Sequence, residues 1–274
     1  MKRTLLIDAD IVAFKFASAH EEVYYFDGKD KPPATSSDFG AACDAARDYI
    51  AMLADKLAAS DVVVCLTDPV ESFRKNLWPG YKAGRTARRP EHLQAVKDWF
   101  KTVYQTYERP GLEADDCMGI LSTHPTLIKG EKVIVSEDKD MQTIPGLLCN
   151  PRVDIDSRKN LVVRKIGKLK ADRFHLWQTI VGDATDGYPG APGIGPKSEF
   201  AEAVLAAKSV EEGWRHVMAA YEKAAAKGKL GDETPADAAL RNSRMARILR
   251  AGDWDFKQKR PKLWMPPALW AVGT

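Results

Sequence analysis

Thr4-Leu5-Leu6-Ile7-Asp8-Ala9-Asp10 is an apolar, β-prone run that stops on two carboxylates. Short and uninterrupted, it has the form of a strand buried on both faces, as in a parallel sheet. The same grammar returns at Val62-Val63-Val64-Cys65-Leu66, followed by Asp68, and at Val133-Ile134-Val135, followed by Asp138 and Asp140. Helical patterns over 38–59, 91–104 and 113–122 alternate with these runs, and Leu147–Cys149 and Leu161–Ile166 read as further strands. Strands alternating with helices predict an α/β fold with a mainly parallel central sheet flanked by helices.

In an open α/β sheet, ligands bind beyond the carboxyl ends of the strands. Asp8, Asp68 and Asp138 each hold that position. Asp8 and Asp10, like Asp138 and Asp140, are two apart, a spacing that points both side chains one way in extended chain. Glu113, Asp115 and Asp116 sit where a helix begins, and its dipole favours negative charge there. Asp183 and Asp186 occupy Gly182-Asp183-Ala184-Thr185-Asp186-Gly187 at a helix end. A lone strand-end Asp is more often a helix cap than a ligand, but recurrence at the same kind of location argues for convergence. Such a pool of carboxylates cannot stay ionised unaided. Oxygen-only ligands suit hard divalent cations, Mg²⁺ or Mn²⁺, and point to a two-metal phosphodiester nuclease. His20, His92, His124, His175 and His216 are scattered without zinc-site spacing.

At 274 residues and 45% apolar, the chain has enough apolar material for a full core, while a formal charge of +3 decides nothing by itself. Distribution says more: Arg74, Lys75, Lys82, Arg85, Arg88 and Arg89 fall between Phe73 and Pro90 with no acid among them. Cations interleaved with Phe73, Trp78 and Tyr81 can clamp phosphates while an aromatic ring stacks on an unpaired base. Cys43, Cys65, Cys117 and Cys149 have no C-x-x-C spacing, as expected of buried free thiols in a reducing compartment. The N-terminal apolar run is interrupted by Asp8 and Asp10, and no run reaches membrane-spanning length, so a soluble, cytoplasmic protein with no membrane partner is expected.

Beyond about residue 170 the pattern turns helical, with no further strand signal. The expected organisation is an α/β nuclease core over 1–170, with a basic arch or clamp at about 71–92, and an all-helical region over 171–274. Gly190-Ala191-Pro192-Gly193-Ile194-Gly195-Pro196-Lys197-Ser198 is not a nucleotide-binding P-loop, because Pro196 separates Gly195 from Lys197 and a helix precedes it. It reads instead as a tight hairpin between helices, whose Gly193 and Gly195 backbone and Lys197 can grip a DNA phosphate without reading bases.

These residues together resemble the flap-endonuclease and 5′→3′ exonuclease superfamily, and within it the replication exonucleases of short-tailed lytic bacteriophages. The resemblance rests on Ile7-Asp8-Ala9-Asp10, Phe73-Arg74-Lys75, Tyr81-Lys82-Ala83-Gly84-Arg85 and Leu112–Gly119, and on Val133–Asp140, Gln178–Tyr188 and Met245–Arg250. It implies a helix-hairpin-helix-type motif at about 178–205 that can hold K⁺, and a clamp built from the basic strip. Carried over by position, Asp8, Asp68, Glu113, Asp115 and Asp116 would surround a first metal. Asp138, Asp140, Asp183 and Asp186 would surround a second, with Asp115 or Asp116 near both. Lys82 and Arg85 would contact the scissile phosphate, with Tyr81 stacked on a frayed base and Arg74 and Lys75 on the DNA backbone.

The implied activity is divalent-metal-dependent 5′→3′ exonucleolytic hydrolysis of duplex DNA and of RNA in RNA–DNA hybrids. The implied setting is phage replication, primer removal and host DNA degradation in the infected cell, alongside replication proteins. Two readings compete: a structure-specific 5′ flap endonuclease, and a non-catalytic binder of DNA ends. The second would show Asn, Ala or Lys at acid positions, and every matched position here is Asp or Glu. An RNA-cutting enzyme of a smaller acidic-pocket class leaves the helical C-terminal third unexplained.

Overall fold

A computed structural model describes residues 2–26 and 33–267. The first half runs β1 (Arg3–Asp8), α1 (Ala9–Ala19), β2 (Glu21–Tyr24), β3 (Ala34–Ser37), α2 (Phe39–Lys56), β4 (Asp61–Cys65), α3 (Phe73–Leu77), α4 (Leu93–Val103), β5 (Gln105–Tyr107) and α5 (Ala114–Thr123). It continues through β6 (Glu131–Val135), a 3₁₀ turn (Lys139–Thr143), β7 (Gly146–Cys149), β8 (Arg164–Ile166), α6 (Lys168–Val181), α7 (Glu199–Ala206), α8 (Val210–Ala226) and α9 (Pro235–Ala246). A two-strand ribbon, Trp254–Asp255 against Arg260–Pro261, lies beyond the expected end of strand structure.

The main sheet has the order β5-β4-β1-β6-β7-β8, and its first five strands pair in parallel. β1 lies at the centre because Leu5, Leu6 and Ile7 are fully buried. Its register sets Ile7 between Val64 and Val135, so the chain leaves β1, β4 and β6 at one edge. That edge is where Asp8, Asp68 and Asp138 fall. No helix among the described residues is long and apolar enough to cross a membrane.

The chain divides into two compact units. The first contains the residues up to Pro69, Ala87–Asp138 and Leu147–Arg164; its core packs α1, α2 and α4 against β1, β4 and β6 through Val12, Ile50, Leu53, Val64, Phe100 and Val133. The second contains Val70–Thr86, Lys139–Gly146 and the chain from Lys165 onward, with Leu176, Ile180, Val204, Val217 and Tyr221 at its centre. A single boundary near 170 therefore understates the exchange. The strip at 70–86 and the turn at 139–146 leave the first unit and build the second.

Within the second unit, α6 and α7 are joined by residues 182–198, a longer connection than a tight hairpin. Asp183 and Tyr188 bridge across its first turn. Gly182 (φ 71°) and Gly190 (φ 65°) sit with their backbones in contact, and a Cβ on Gly182 would lie 2.5 Å from the Gly190 nitrogen. Only glycine meets both demands, positive φ and close approach. Gly193, Gly195 and Lys197 are exposed on the second half of the loop.

Candidate active site

The first unit gathers its carboxylates where β1, β4 and β6 end. β1 does not run on to Asp10, as the two-residue spacing implied. Asp8 ends the strand and caps α1, its Oδ1 accepting from Ile11 N at 3.2 Å, so Asp10 falls in the first helical turn. This is ordinary N-cap chemistry, a carboxylate satisfying an orphan amide at the positive end of a helix. The other Asp8 oxygen accepts from Ser136 Oγ at 2.7 Å, and Ser136 Oγ in turn accepts from Asp138 N at 3.1 Å. One serine thus ties the end of β6 to the end of β1. Asp138 precedes the 3₁₀ turn, so Asp138 and Asp140 are not in extended chain either.

Asp8 is 3% exposed. Burial, the charge of Asp10 and that of Asp138 push its carboxyl up to about 7, against the pull of the Ser136 and Ile11 donors. Asp10 is balanced by Lys97 on α4, whose Nζ stands 2.8 Å from its Oδ1. Asp68 accepts from Gly111 N at 2.6 Å, while Thr67 Oγ1 accepts from Ala114 N at 3.0 Å. These two bonds fasten the loop after β4 to the start of α5. There Asp116, fully buried, accepts from Glu113 N at 3.3 Å, and Asp115 stands half-buried between them. Ser136 and Lys97 were not singled out from the sequence. Ser136 could have been, since it lies inside the quoted Val133–Asp140 run, whereas Lys97 is one of many lysines on helical faces.

The second unit holds a separate cluster. Asp183 accepts from Thr185 N at 2.8 Å and Asp186 N at 3.2 Å, which folds the loop so that both acids turn the same corner. Burial works against the ionised form of Asp183, but these amides and Lys139 outweigh it and hold the carboxyl below its ordinary value. Lys139 Nζ is 3.3 Å from Asp183 Oδ2. The buried Tyr188 hydroxyl is pushed well up, first by desolvation and then by the charges of Asp140, Asp183 and Asp186.

The basic strip is stapled to this loop. Lys82 N donates to Asp186 O at 2.8 Å and Trp78 Nε1 to Gly187 O at 2.9 Å. Arg85 Nη2 reaches Asp186 Oδ1 at 2.7 Å, the Tyr81 hydroxyl reaches Oδ2 at 3.3 Å, and Lys82 Nζ stands 4.0 Å from it. Lys82 has φ 54°, a left-handed backbone that a non-glycine residue adopts at a cost.

Lys75 and Arg85 are exposed, as a phosphate contact needs. Arg74 and Tyr81 are not: each is 2% exposed. The Arg74 guanidinium donates to Met245 O and Arg247 O, and the Tyr81 ring packs with Tyr188, Met245 and Trp78. Burial inside the second unit places both where neither a DNA phosphate nor a frayed base reaches them, because the aromatic and arginine-rich strip folds inward on the side that carries them.

The donor set of both clusters is carboxylate oxygen throughout. Among the described residues no three His, Cys, Asp or Glu side chains close on a point tightly enough to cage an ion as they stand. Burial, and after it the charges of Asp10 and Asp138, raise the Asp8 carboxyl, and an all-oxygen donor set of this kind fits a hard cation.

Residues 3–160 match the family model described as the 5′-3′ exonuclease, N-terminal resolvase-like domain. The exodeoxyribonuclease of Enterobacteria phage T3 is 31% identical over 240 residues, covering 75% of this chain and 73% of the phage protein. The exonuclease of Escherichia phage T7 is 29% identical over 240 residues, with 76% and 75% covered. Among solved structures, the T5 D15 protein co-crystallised with metal ions shares the fold at a TM-score of 0.57 and 17% identity, with 90% of each chain covered. The chain belongs to the 5′–3′ exonuclease family.

Proposed function

We propose that the protein is a divalent-metal-dependent nuclease that hydrolyses duplex DNA from 5′ ends, and RNA paired to DNA by the same chemistry. The observation that carries this reading is the gathering of Asp8, Asp10 and Asp138 at the carboxyl edge of the sheet, where burial first and the neighbouring charges next push the Asp8 carboxyl up to about 7. Family membership and the metal ions present in the T5 structure support the same reading. Asp8, Asp68, Glu113, Asp115, Asp116 and Asp138 would hold one ion. Asp138 joins this group, rather than the second one expected for it, because its charge acts on Asp8. Asp140, Asp183 and Asp186 would hold a second ion.

A divalent cation supplies positive charge against the charge that develops on the attacking and leaving oxygens of a phosphodiester. The chain's own residues do the rest. Ser136 orients Asp8 by donating to one oxygen while Ile11 N holds the other. Lys97 pairs with Asp10 beside it. Arg85 and Lys82 bind the scissile phosphate, exchanging Asp186 for a phosphate oxygen, and Lys75 contacts the flanking backbone. Gly193, Gly195 and Lys197 offer a second backbone contact, where K⁺ coordination by main-chain carbonyls belongs.

A blunt duplex labelled at either end tests this, with Mg²⁺ or chelator and with Asp138→Asn. Early release of 5′-labelled mononucleotide, abolished by chelator and slowed at least ~100-fold in the variant, is the expected result. Release from the 3′ label first, or full activity in chelator, would sink the proposal. Cutting that requires an added single-stranded 5′ tail would move the assignment to a flap endonuclease. An intact duplex shifted on a gel would mark a binder.

A further inference from the structure

Met245-Ala246-Arg247-Ile248-Leu249-Arg250 carries no candidate ligand or phosphate contact, yet it bonds to the strip that bears Lys82 and Arg85, to the turn that bears Asp140 and to the helix that leads to the Asp183–Asp186 loop. The carbonyls of Met245 and Arg247 accept from Arg74, at 3.2 Å from Nε and 2.7 Å from Nη2. Arg74 lies on α3, the root of the strip that bears Tyr81, Lys82 and Arg85. Arg250 reaches the other way. Its Nη2 donates to Thr143 O and its Nη1 to Asp172 Oδ1, both at 2.6 Å. Thr143 closes the 3₁₀ turn of Lys139 and Asp140, and Asp172 lies on α6, whose far end feeds the Asp183–Asp186 loop. Arg247 pairs with Asp253 at 2.7 Å and stands 3.9 Å from Asp172.

Burying three guanidiniums is an expensive way to hold helices together, since apolar packing does so without desolvating charge. What a guanidinium adds is direction: a planar fork of donors fixes both the distance and the angle of what it binds. We propose that Arg250 and Arg74 are positioning residues with separate duties. Arg250 holds the Asp140 turn against α6, so that Asp140 keeps its place with Asp183 and Asp186. Arg74 holds the strip that presents Lys82 and Arg85. The first duty serves cation capture and the second serves phosphate capture, which deepens the nuclease reading and rests on it.

Arg250→Lys and Arg74→Lys keep the charge and lose the fork. In the full-length chain, three measurements apply to each: amide hydrogen exchange, Mn²⁺ binding without DNA followed by electron spin resonance, and KM and kcat on 5′-labelled duplex at saturating metal. Arg250→Lys should speed exchange over Met141–Ile144 and weaken the poorer Mn²⁺ site, each by about ten-fold, the scale of one charge-assisted hydrogen bond. Its KM for DNA should not move. Arg74→Lys should speed exchange over 75–85 and raise KM by roughly five-fold or more, with Mn²⁺ binding unchanged.

Should Arg250→Lys not fold, Asp172→Asn keeps the bond to Thr143 and weakens the same tie, with a smaller loss of Mn²⁺ affinity and no change in KM. A uniform loss in every readout that tracks the fall in Tm, or unchanged local exchange, would overturn the proposal. A wild-type chain that does not cut would defeat the nuclease reading alone, because the exchange and Mn²⁺ arms still decide the positioning claim.

Discussion

Asp8 is asked to be two things, a helix cap and one of a crowd of anions. Capping wants it ionised, and burial, Asp10 and Asp138 oppose that. With a carboxyl at about 7 in the folded protein and ~3.9 in the unfolded chain, the folded state holds the extra proton between those values. Its contribution to stability is complete below about pH 4 and is lost as pH rises through 7. The metal-free protein should therefore show a Tm that falls between pH 5 and pH 8, with a flatter profile in Asp8→Asn. A cation that binds here displaces that proton. Mg²⁺ binding at pH 7, measured calorimetrically in buffers of different ionisation heat, should release about half a proton, and close to none at pH 9. Equal release at both values would remove Asp8 from the site. Lys82 poses the opposite problem, since its strain lies in the backbone. Lys82→Gly relieves a φ of 54° and should leave stability level or raise it by up to ~1 kcal/mol, while cleavage falls because the amine is gone. A variant that loses stability and activity together would show that the side chain packs rather than grips.

Elements divide by whether their cause is local. β1, β4 and β6 were legible because a strand buried on both faces must be apolar without interruption, and so were the capped helices α2, α8 and α9. α1 was not. Its Ala9–Ala19 stretch is apolar on most sides, so no stripe announces a helix, and the Asp8–Asp10 spacing read as extended chain. The loop between α6 and α7 was half-legible. Its glycines marked a tight backbone, but they brace Gly182 against Gly190 instead of closing a short hairpin. Gly190→Ala should cost well over ~1 kcal/mol, since it forces both a positive φ and a clash onto the new Cβ. A Tm equal to wild type would refute that bracing. Arg74 was misread for a different reason. Nothing in Phe73-Arg74-Lys75 tells which cation turns inward, and its carbonyl partners lie more than a hundred residues away in sequence. Long-range hydrogen bonds of this kind leave no periodic trace.

At the scale of the whole molecule, the question is how a chain of net charge +3 would bind a polyanion beside two clusters of acids. The answer offered by the geometry is that its cations are held in reserve. Arg85 is spent on Asp186, Lys139 on Asp183, Lys97 on Asp10 and Arg88 on Glu21. A divalent ion that takes Asp183 and Asp186 competes with Arg85 and Lys139 for the same oxygens, and each one displaced becomes available to a phosphate. Metal loading and DNA affinity are then linked, and linkage runs both ways. Salt dependence reads this directly, because the log–log slope of affinity changes by about 0.9 for each duplex phosphate contact. In chelator the slope should be shallow. Ca²⁺, which seeks the same oxygen ligands, should steepen it by about 1 for each cation released. Asp186→Asn should steepen it by about 1 in chelator, with no ion present, since Arg85 loses its partner without any need for metal. If the slope is the same in chelator, in Ca²⁺ and in the variant, the ion pairs are not a reserve, and the contacts to DNA come from residues that were never engaged.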